Sequence, residues 1–188
     1  MKLNLTTDYT TTTLVAQTAA EAQLRLTAGY DSANVLTKLD AARQLVEQDT
    51  NRSILNTVWT MKLDYFPSTI YLPKGRLVSV TSVKYLDSDN AEQTLVADTD
   101  YYVSGVGYDE GRIIPVSSWP QVSSDKNNSV EVVFTTGYGT SASTDTSWAE
   151  VAILGKLTDL YEGVNTNEMI YRKVIEKHIL YFDYSLND

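Results

Sequence analysis

The apolar positions of this chain change period twice. Val35, Leu36, Leu39, Ala42, Leu45 and Val46 recur at helical spacing, which lays one buried stripe along a helix. Lys38, Asp40, Arg43 and Glu47 fall largely off that stripe. Asp31 or Ser32 is placed to cap this helix. Asn51, which tolerates left-handed backbone, is placed to close it. The period then falls to two. Trp59, Met61, Leu63 and Tyr65 alternate with Val58, Thr60, Lys62 and Asp64, as in a half-buried strand. Further strands are expected at 69–72, 77–86, 92–96, 101–103, 111–114 and 129–136, separated by turn signals such as Pro73-Lys74-Gly75. Within 77–86 the apolar phase flips at Thr81-Ser82, which implies a bulge or a crossing between layers. Helical spacing resumes after a Ser/Thr linker at 140–147. Val151, Leu154, Leu157 and Tyr161 form its stripe and Gly163 its stop. A last helix is expected from Asn165, with Ile170, Val174, His178 and Tyr181 aligned. Thr18 with Glu21, and Ser147 with Glu150, have the spacing of capping boxes. The Thr-rich strip at 6–13 favours an arm or edge strand.

These elements predict an α+β fold, in which a helical bundle from the N- and C-terminal helices carries an inserted antiparallel β module. The division is 1–53 (arm and bundle helices), 54–146 (β module) and 147–188 (C-terminal helices and tail). Two abutting domains are the alternative arrangement.

Composition narrows the function. With 188 residues, 43% hydrophobic and 21% charged, the chain can bury a sizeable core and is not a disordered polymer. It has no cysteine, so neither a disulfide framework nor a thiolate metal site is available. No stretch approaches the roughly 20 apolar residues of a membrane span, and the start lacks the apolar run of a signal peptide. A soluble protein made in the cytoplasm, with no membrane partner, is expected. The net charge of −9 opposes a grip on phosphate, because DNA affinity comes largely from Lys and Arg displacing counterions. The same charge suits simple solubility, or a passage along which DNA slides without sticking.

Candidate chemistry is sparse. The one histidine, His178, sits on an apolar helix stripe and lacks the partners of a triad or a zinc site. Asp87, Asp89, Asn90 and Glu92 lack the glycine and terminal glutamate of a calcium loop and read as a solvated hairpin. Asp109 and Glu110 read as loop carboxylates. Gly105-Val106-Gly107 and Gly137-Tyr138-Gly139 lack the remaining elements of a nucleotide fingerprint. No catalytic residue, metal or cofactor is expected. The 13 tyrosines suit contact surfaces and β packing equally. The apolar run at 179–184 either packs back on its own helices or docks elsewhere.

Several phrases gain meaning from their order: Glu47-Gln48-Asp49-Thr50-Asn51-Arg52, Tyr71-Leu72-Pro73-Lys74-Gly75, the stretch 80–87, Trp119-Pro120 and Thr136-Gly137-Tyr138-Gly139. Over roughly 31–162 they resemble the head–tail connector (adaptor, or head-completion) family of tailed bacteriophages, in its branch with a β insertion. Asn51 stands where that family typically has glycine. The resemblance implies a structural virion protein of the neck. It would form a ring, expected to be a dodecamer, that docks under the portal protein, extends the DNA channel and supports a downstream stopper or tail terminator. Double-stranded DNA would pass without sequence-specific binding. The resemblance further implies portal docking through the C-terminal segment: Tyr171, Val174, Ile175, His178, Ile179, Tyr181, Phe182 and Tyr184. Arg43, Glu47 and Arg52, on a helix face outside the stripe, are expected at the contact between subunits. Asp87, Asp89, Glu92, Asp109 and Glu110 are expected on loops facing the lumen or the next neck protein. A β-rich binding module for carbohydrate or another tail component is the alternative, with a tail terminator or an enzyme further behind.

Overall fold

The computed structural model describes residues 1–164 and 168–187. The chain is α+β and divides into two compact units, neither continuous in sequence. One holds residues 1–8, 56–137 and 181–188, and the other holds 9–55 and 138–180.

The first unit is built from antiparallel strands. They are β1 (Lys2–Thr7), β2 (Thr57–Leu63), β3 (Ile70–Leu72), β4 (Leu77–Leu86), β5 (Glu92–Leu95), β6 (Tyr101–Ser104), β7 (Gly111–Pro115) and β8 (Val130–Thr136). A five-stranded sheet has the order β1-β2-β8-β4-β5, and a three-stranded sheet the order β3-β7-β6. Alternation fixes which residues go inside: Met61 and Leu63 of β2, and Val130, Val132 and Phe134 of β8, are fully buried. In the large sheet Met61 and Val83 both pair with Val132. The phase flip in β4 is a break in register between Val80 and Ser82, as the apolar pattern predicts. Ile70, Leu72, Leu77, Tyr101 and Ile113 complete the core. Gly111 packs its backbone where a Cβ would meet the Leu77 side chain at 2.9 Å. The edge strand is β1, with Leu3 opposite Met61, so only Thr6 and Thr7 of the Thr-rich strip at 6–13 lie in it, and Thr11–Thr13 form a 3-10 turn instead.

The second unit holds α1 (Gln17–Gln23), α2 (Ser32–Thr50), α3 (Ser147–Glu162) and α4 (Glu168–Ile175). Val35, Leu39, Ala42 and Val46 of α2 are fully buried as the spacing requires, and Asn51 closes the helix at φ 54°. On α3 the buried face is Ala149, Ala152, Ile153 and Leu157, while Val151 is exposed. The real stripe is therefore rotated from the expected one. The two expected capping boxes do not form. The Glu21 carboxylate instead accepts from Gln17, Ser32 and the Gly29 amide. Ahead of α3, Ser143 and Thr146 make the reciprocal pair on a preceding 3-10 turn. The expected cap Asn165 lies outside the described residues. The last helix ends as α-helix at Ile175, continues as one 3-10 turn to His178, and is extended from Ile179.

Both chain ends depart from the sequence-based division, which gives them to the helices. Residues 1–8 pair as a sheet edge, and 181–188 belong with the strands. At the N-terminus, pairing with β2 satisfies the main-chain groups of β1, and at the C-terminus the Asn187 side chain bonds the Tyr71 main chain.

Candidate functional site

The phrase running from Glu47 to Arg52 is an internal fastening. Glu47 Oε1 accepts from the Tyr9 hydroxyl at 2.8 Å and from the Ile54 amide at 3.0 Å. Its other oxygen accepts from Arg43 Nη1 at 2.9 Å. Arg43 also donates to Asp40 Oδ1 and to Thr11 Oγ1, and its guanidinium lies 4.8 Å from the Tyr9 ring centre. One turn on, Arg52 Nη1 donates to the Tyr138 hydroxyl at 2.9 Å, and its Nε donates to the carbonyl of His178. The Thr50 carbonyl accepts from the Leu180 amide at 2.9 Å, and the Ile54 carbonyl from the Tyr138 amide at 3.0 Å. The end of α2 thus holds segments distant in sequence through Tyr9, Tyr138, His178 and Leu180.

This geometry corrects the outward placement of Arg43 and Arg52. They are only 3% and 7% exposed, and Glu47 is half-buried. Their polar atoms are committed within their own helical unit, so an assembly contact cannot be assigned to them directly. Burial is tolerated because Arg43 is ion-paired with Asp40 and Glu47, while Arg52 donates to the Tyr138 hydroxyl and the His178 carbonyl. Burial raises the Tyr9 pKa far above its ordinary value, and the Glu47 charge and hydrogen bond raise it further. For Asp40 partial burial works upward, but hydrogen bonds from Thr11, Arg43 and Gln44 prevail and hold its pKa below the ordinary value.

The C-terminal residues named for docking separate into two groups. Tyr171 and Ile175 are buried core residues. The Tyr171 hydroxyl donates to Asp49 Oδ2 at 2.5 Å, and Lys156 Nζ sits 4.1 Å from its ring centre. Burial, then the Asp49 hydrogen bond and charge, raise the Tyr171 pKa. Val174, His178, Ile179 and Phe182 are half-buried, and His178 stacks on Trp148 with ring centres 4.1 Å apart. Tyr181 is 89% exposed. The Tyr184 side chain lies outside the described residues. The expected stripe through Ile170 is also corrected: Ile170 is 63% and Met169 73% exposed. An outward face of Met169, Ile170, Lys173 and Lys177 results. Sequence reasoning missed Met169. Its spacing gave no signal, because neighbouring helix positions can share a buried face, as Ala152 and Ile153 do on α3.

The acidic loop residues fall into two places. Asp87, Asp89 and Glu92 lie at the β4–β5 turn, and Asp109 and Glu110 precede β7. The β6–β7 turn is bonded to Leu77 at the start of β4, while Asp87 follows its end at Leu86. Those strand ends are nine residues apart, or about 30 Å along an extended chain. The two acidic groups therefore do not form one cluster. Asp87 is turned inward and accepts from the amides of Asp89 and Ala91 and from Gln93. The Gln93 bond first, then these amides, lower its pKa. Asp89, Glu92 and Glu110 are exposed, and Glu92 pairs with Lys84 at 2.8 Å.

Among the described residues no group of three or more His, Asp or Glu side chains is placed to hold a metal ion, and no helix is long and apolar enough to cross a membrane. A hollow of about 350 Å³ in the β unit is lined by Tyr85, Gln93, Asp100 and Trp119 among others. Trp119 is itself stacked on Phe66, with ring centres 4.5 Å apart and planes 7° off parallel.

No protein-family model and no curated protein matches this sequence. Solved structures do match its fold. A chain in the neck of an empty gene transfer agent (GTA) particle, computed with C6 symmetry, superposes at TM-score 0.78 with 21% identity, covering 100% of both chains. A chain in the virion of a native GTA particle gives 0.75 at 21% identity over 97% of both. A chain in the neck of a native GTA particle, computed with C12 symmetry, gives 0.71 at 21% identity over 100% of both. The whole chain, with both units, therefore has a fold found in the neck of phage-like particles.

Proposed function

We propose that this protein is a structural component of the neck of a tailed-phage-type particle. Copies assemble as a ring under the portal, extend the DNA channel and support the next neck or tail protein. The carrying observation is the end-to-end fold similarity to chains in GTA necks. A similarity confined to one unit would have suited a widely reused module. One that spans both units supports a shared architecture and, with the sequence resemblance, a shared place in the particle. The C12 and C6 symmetries of those necks support a twelve-fold ring here, because a twelve-fold ring also satisfies six-fold averaging. A ring uses heterologous contacts, so two different faces of each subunit must be complementary.

In this reading the protein makes contacts and does not catalyse a reaction. The portal is met by the C-terminal part of the chain. The exposed side of α4, with Met169, Ile170 and Lys173, and the following Lys177 and Tyr181 supply that contact. The core residues Tyr171 and Ile175 position it. Exposed Asp89, Glu92 and Glu110, with half-buried Asp109, face the lumen or the next neck protein. DNA passes by repulsion, not by sequence-specific binding.

Electron cryomicroscopy of particles from a host carrying the gene, compared with particles lacking it, tests the proposal. Density for this fold is expected as a ring at the genome-exit vertex, with filled heads and no attached tails when it is missing. Complete, tailed particles without it would refute the proposal.

A further inference from the structure

The Asn187 side chain fastens the last described residues to the β unit. Tyr71 is the middle residue of β3, and β3 lies at the edge of the three-stranded sheet. Its partner strand β7 is on one side only. In an antiparallel pair, alternate residues turn their main-chain groups away from the partner. Tyr71 turns its groups to the open edge. Asn187 fills that position. Its Oδ1 accepts from the Tyr71 amide at 2.8 Å, and its Nδ2 donates to the Tyr71 carbonyl at 2.7 Å. The carboxamide thus replaces the missing strand at that residue. Asn187 is 3% exposed, and the sulfurs of Met1 and Met61 lie 3.4 and 3.9 Å from its Nδ2. Ahead of it, Tyr181 is almost fully exposed and Asp183 is solvent-facing. The segment therefore has a buried anchor after an exposed stretch.

We propose that Asn187 is a latch that holds the C-terminal segment in a stowed state on the β3 edge, and that portal docking must release it. This rests on the reading that the C-terminal segment meets the portal. Asn187 cannot both sit on the β3 edge and let the residues after Tyr181 follow the surface of another protein. The latch is therefore an autoinhibitory contact. It leaves Tyr181 exposed but keeps free subunits from presenting the residues after it, and it makes their docking compete with an intramolecular bond. The anchor suits this use because it is polar and local. Releasing one carboxamide lets water satisfy Tyr71 at a sheet edge, whereas releasing a large apolar side chain would expose a core. Two neutral hydrogen bonds of ordinary strength set the stowed state roughly tenfold or more above the released one.

The test uses the full chain, its Asn187→Ala and Asn187→Asp variants, and portal rings. Asp keeps the acceptor for the Tyr71 amide but places a carboxylate against its carbonyl. Two readouts are taken: amide exchange at Tyr71 by NMR in the free protein, and affinity for the portal. Far-ultraviolet circular dichroism establishes that the variants fold. The expected result is a protected Tyr71 amide in the parent chain, loss of protection in Asn187→Ala, and about tenfold tighter portal binding by both variants. If the parent and variants bind the portal equally and Tyr71 stays protected in the bound parent, the latch is refuted while the neck reading stands. If neither parent nor variants bind any portal, the neck reading fails and the latch falls with it.

Discussion

At the scale of single residues, buried polar contacts explain more than charge counts do. Tyr9 and Tyr171 each donate to a carboxylate in the helical unit, Tyr9 to Glu47 and Tyr171 to Asp49. Burial is the leading cause that raises both pKa values far above the ordinary 10.0. The folded chain therefore keeps protons that the unfolded chain releases above that value. By linkage, the stability these two residues contribute is whole below about pH 10 and is lost as pH climbs towards the folded values. Tyr9→Phe and Tyr171→Phe should each cost about 1 kcal/mol near neutrality. Together they should flatten the fall in stability above about pH 10. Tyr101, through burial, and Tyr161, through its hydrogen bond to Asp31, are raised as well, so the slope is reduced, not abolished. Urea denaturation from about pH 7 to pH 11 measures it. An unchanged alkaline slope in the double variant would show that these hydroxyls are not held as described.

At the scale of elements, the chain shows which parts of a fold are written locally. The burial of β8 alternates strictly, and that of β2 does so except at Trp59, which is half-buried like its neighbours. The stop of α2 at Asn51 and the register break at Thr81-Ser82 were legible for the same reason: each depends on a few adjacent residues. The buried side of α3 and α4 was not legible. Both are apolar on more than one side, so the packing partner, not the period, decides which face is covered. That is why Ile170 was assigned inward and Met169 overlooked. The Thr18–Glu21 box failed because Glu21 is held by Ser32 and the Gly29 amide across a loop, and the Ser147–Glu150 box because Ser147 bonds back to the Thr144 carbonyl. Gly105 had a local signal whose meaning needed the structure. Its φ is +80°, and a Cβ there would lie 2.2 Å from the Glu110 carbonyl oxygen. Because that neighbour is backbone, it cannot swing aside. Gly105→Ala should destabilise the β unit by about 2–4 kcal/mol, with little effect from the same change at Gly155, where a Cβ would meet nothing within 4 Å. Chemical denaturation of the two variants provides the comparison. Equal stability would mean that the β6–β7 turn is not held in this conformation.

At the scale of the molecule, the sequence hid how its segments are shared out. The β unit takes both chain ends, and no local pattern announces that residues 1–8 and 181–188 belong together. Of the side chains named from the sequence, Tyr181 is exposed, while Arg43 and Arg52 turned inward, where buried partners replace their hydration. Net charge is a property of the same scale. Twelve copies at −9 each would give a ring on the order of a hundred negative charges, enough to repel phosphate wherever the exposed carboxylates reach the channel within about 8 Å of DNA at physiological salt. That repulsion has a sign that can be reversed. Replacing Asp89, Glu92, Asp109 and Glu110 together by lysine changes exposed or half-buried loop side chains, so folding should survive, although Lys84 loses its Glu92 partner. Particles should still assemble, but genome release should slow several-fold, because Lys now displaces counterions from the passing phosphates. Such a brake must weaken as salt rises, whereas a steric brake would not. Dye-detected DNA release from purified particles at about 50 and 200 mM salt separates the two. Release at the parental rate at both salts would place these loops away from the DNA and leave solubility as the role of their charge. Lysine at the β4–β5 turn alone, compared with lysine at the β6–β7 turn alone, then identifies the lumenal end. The two lie about 30 Å apart along β4, so only the end nearer the passing duplex should carry the salt-sensitive brake.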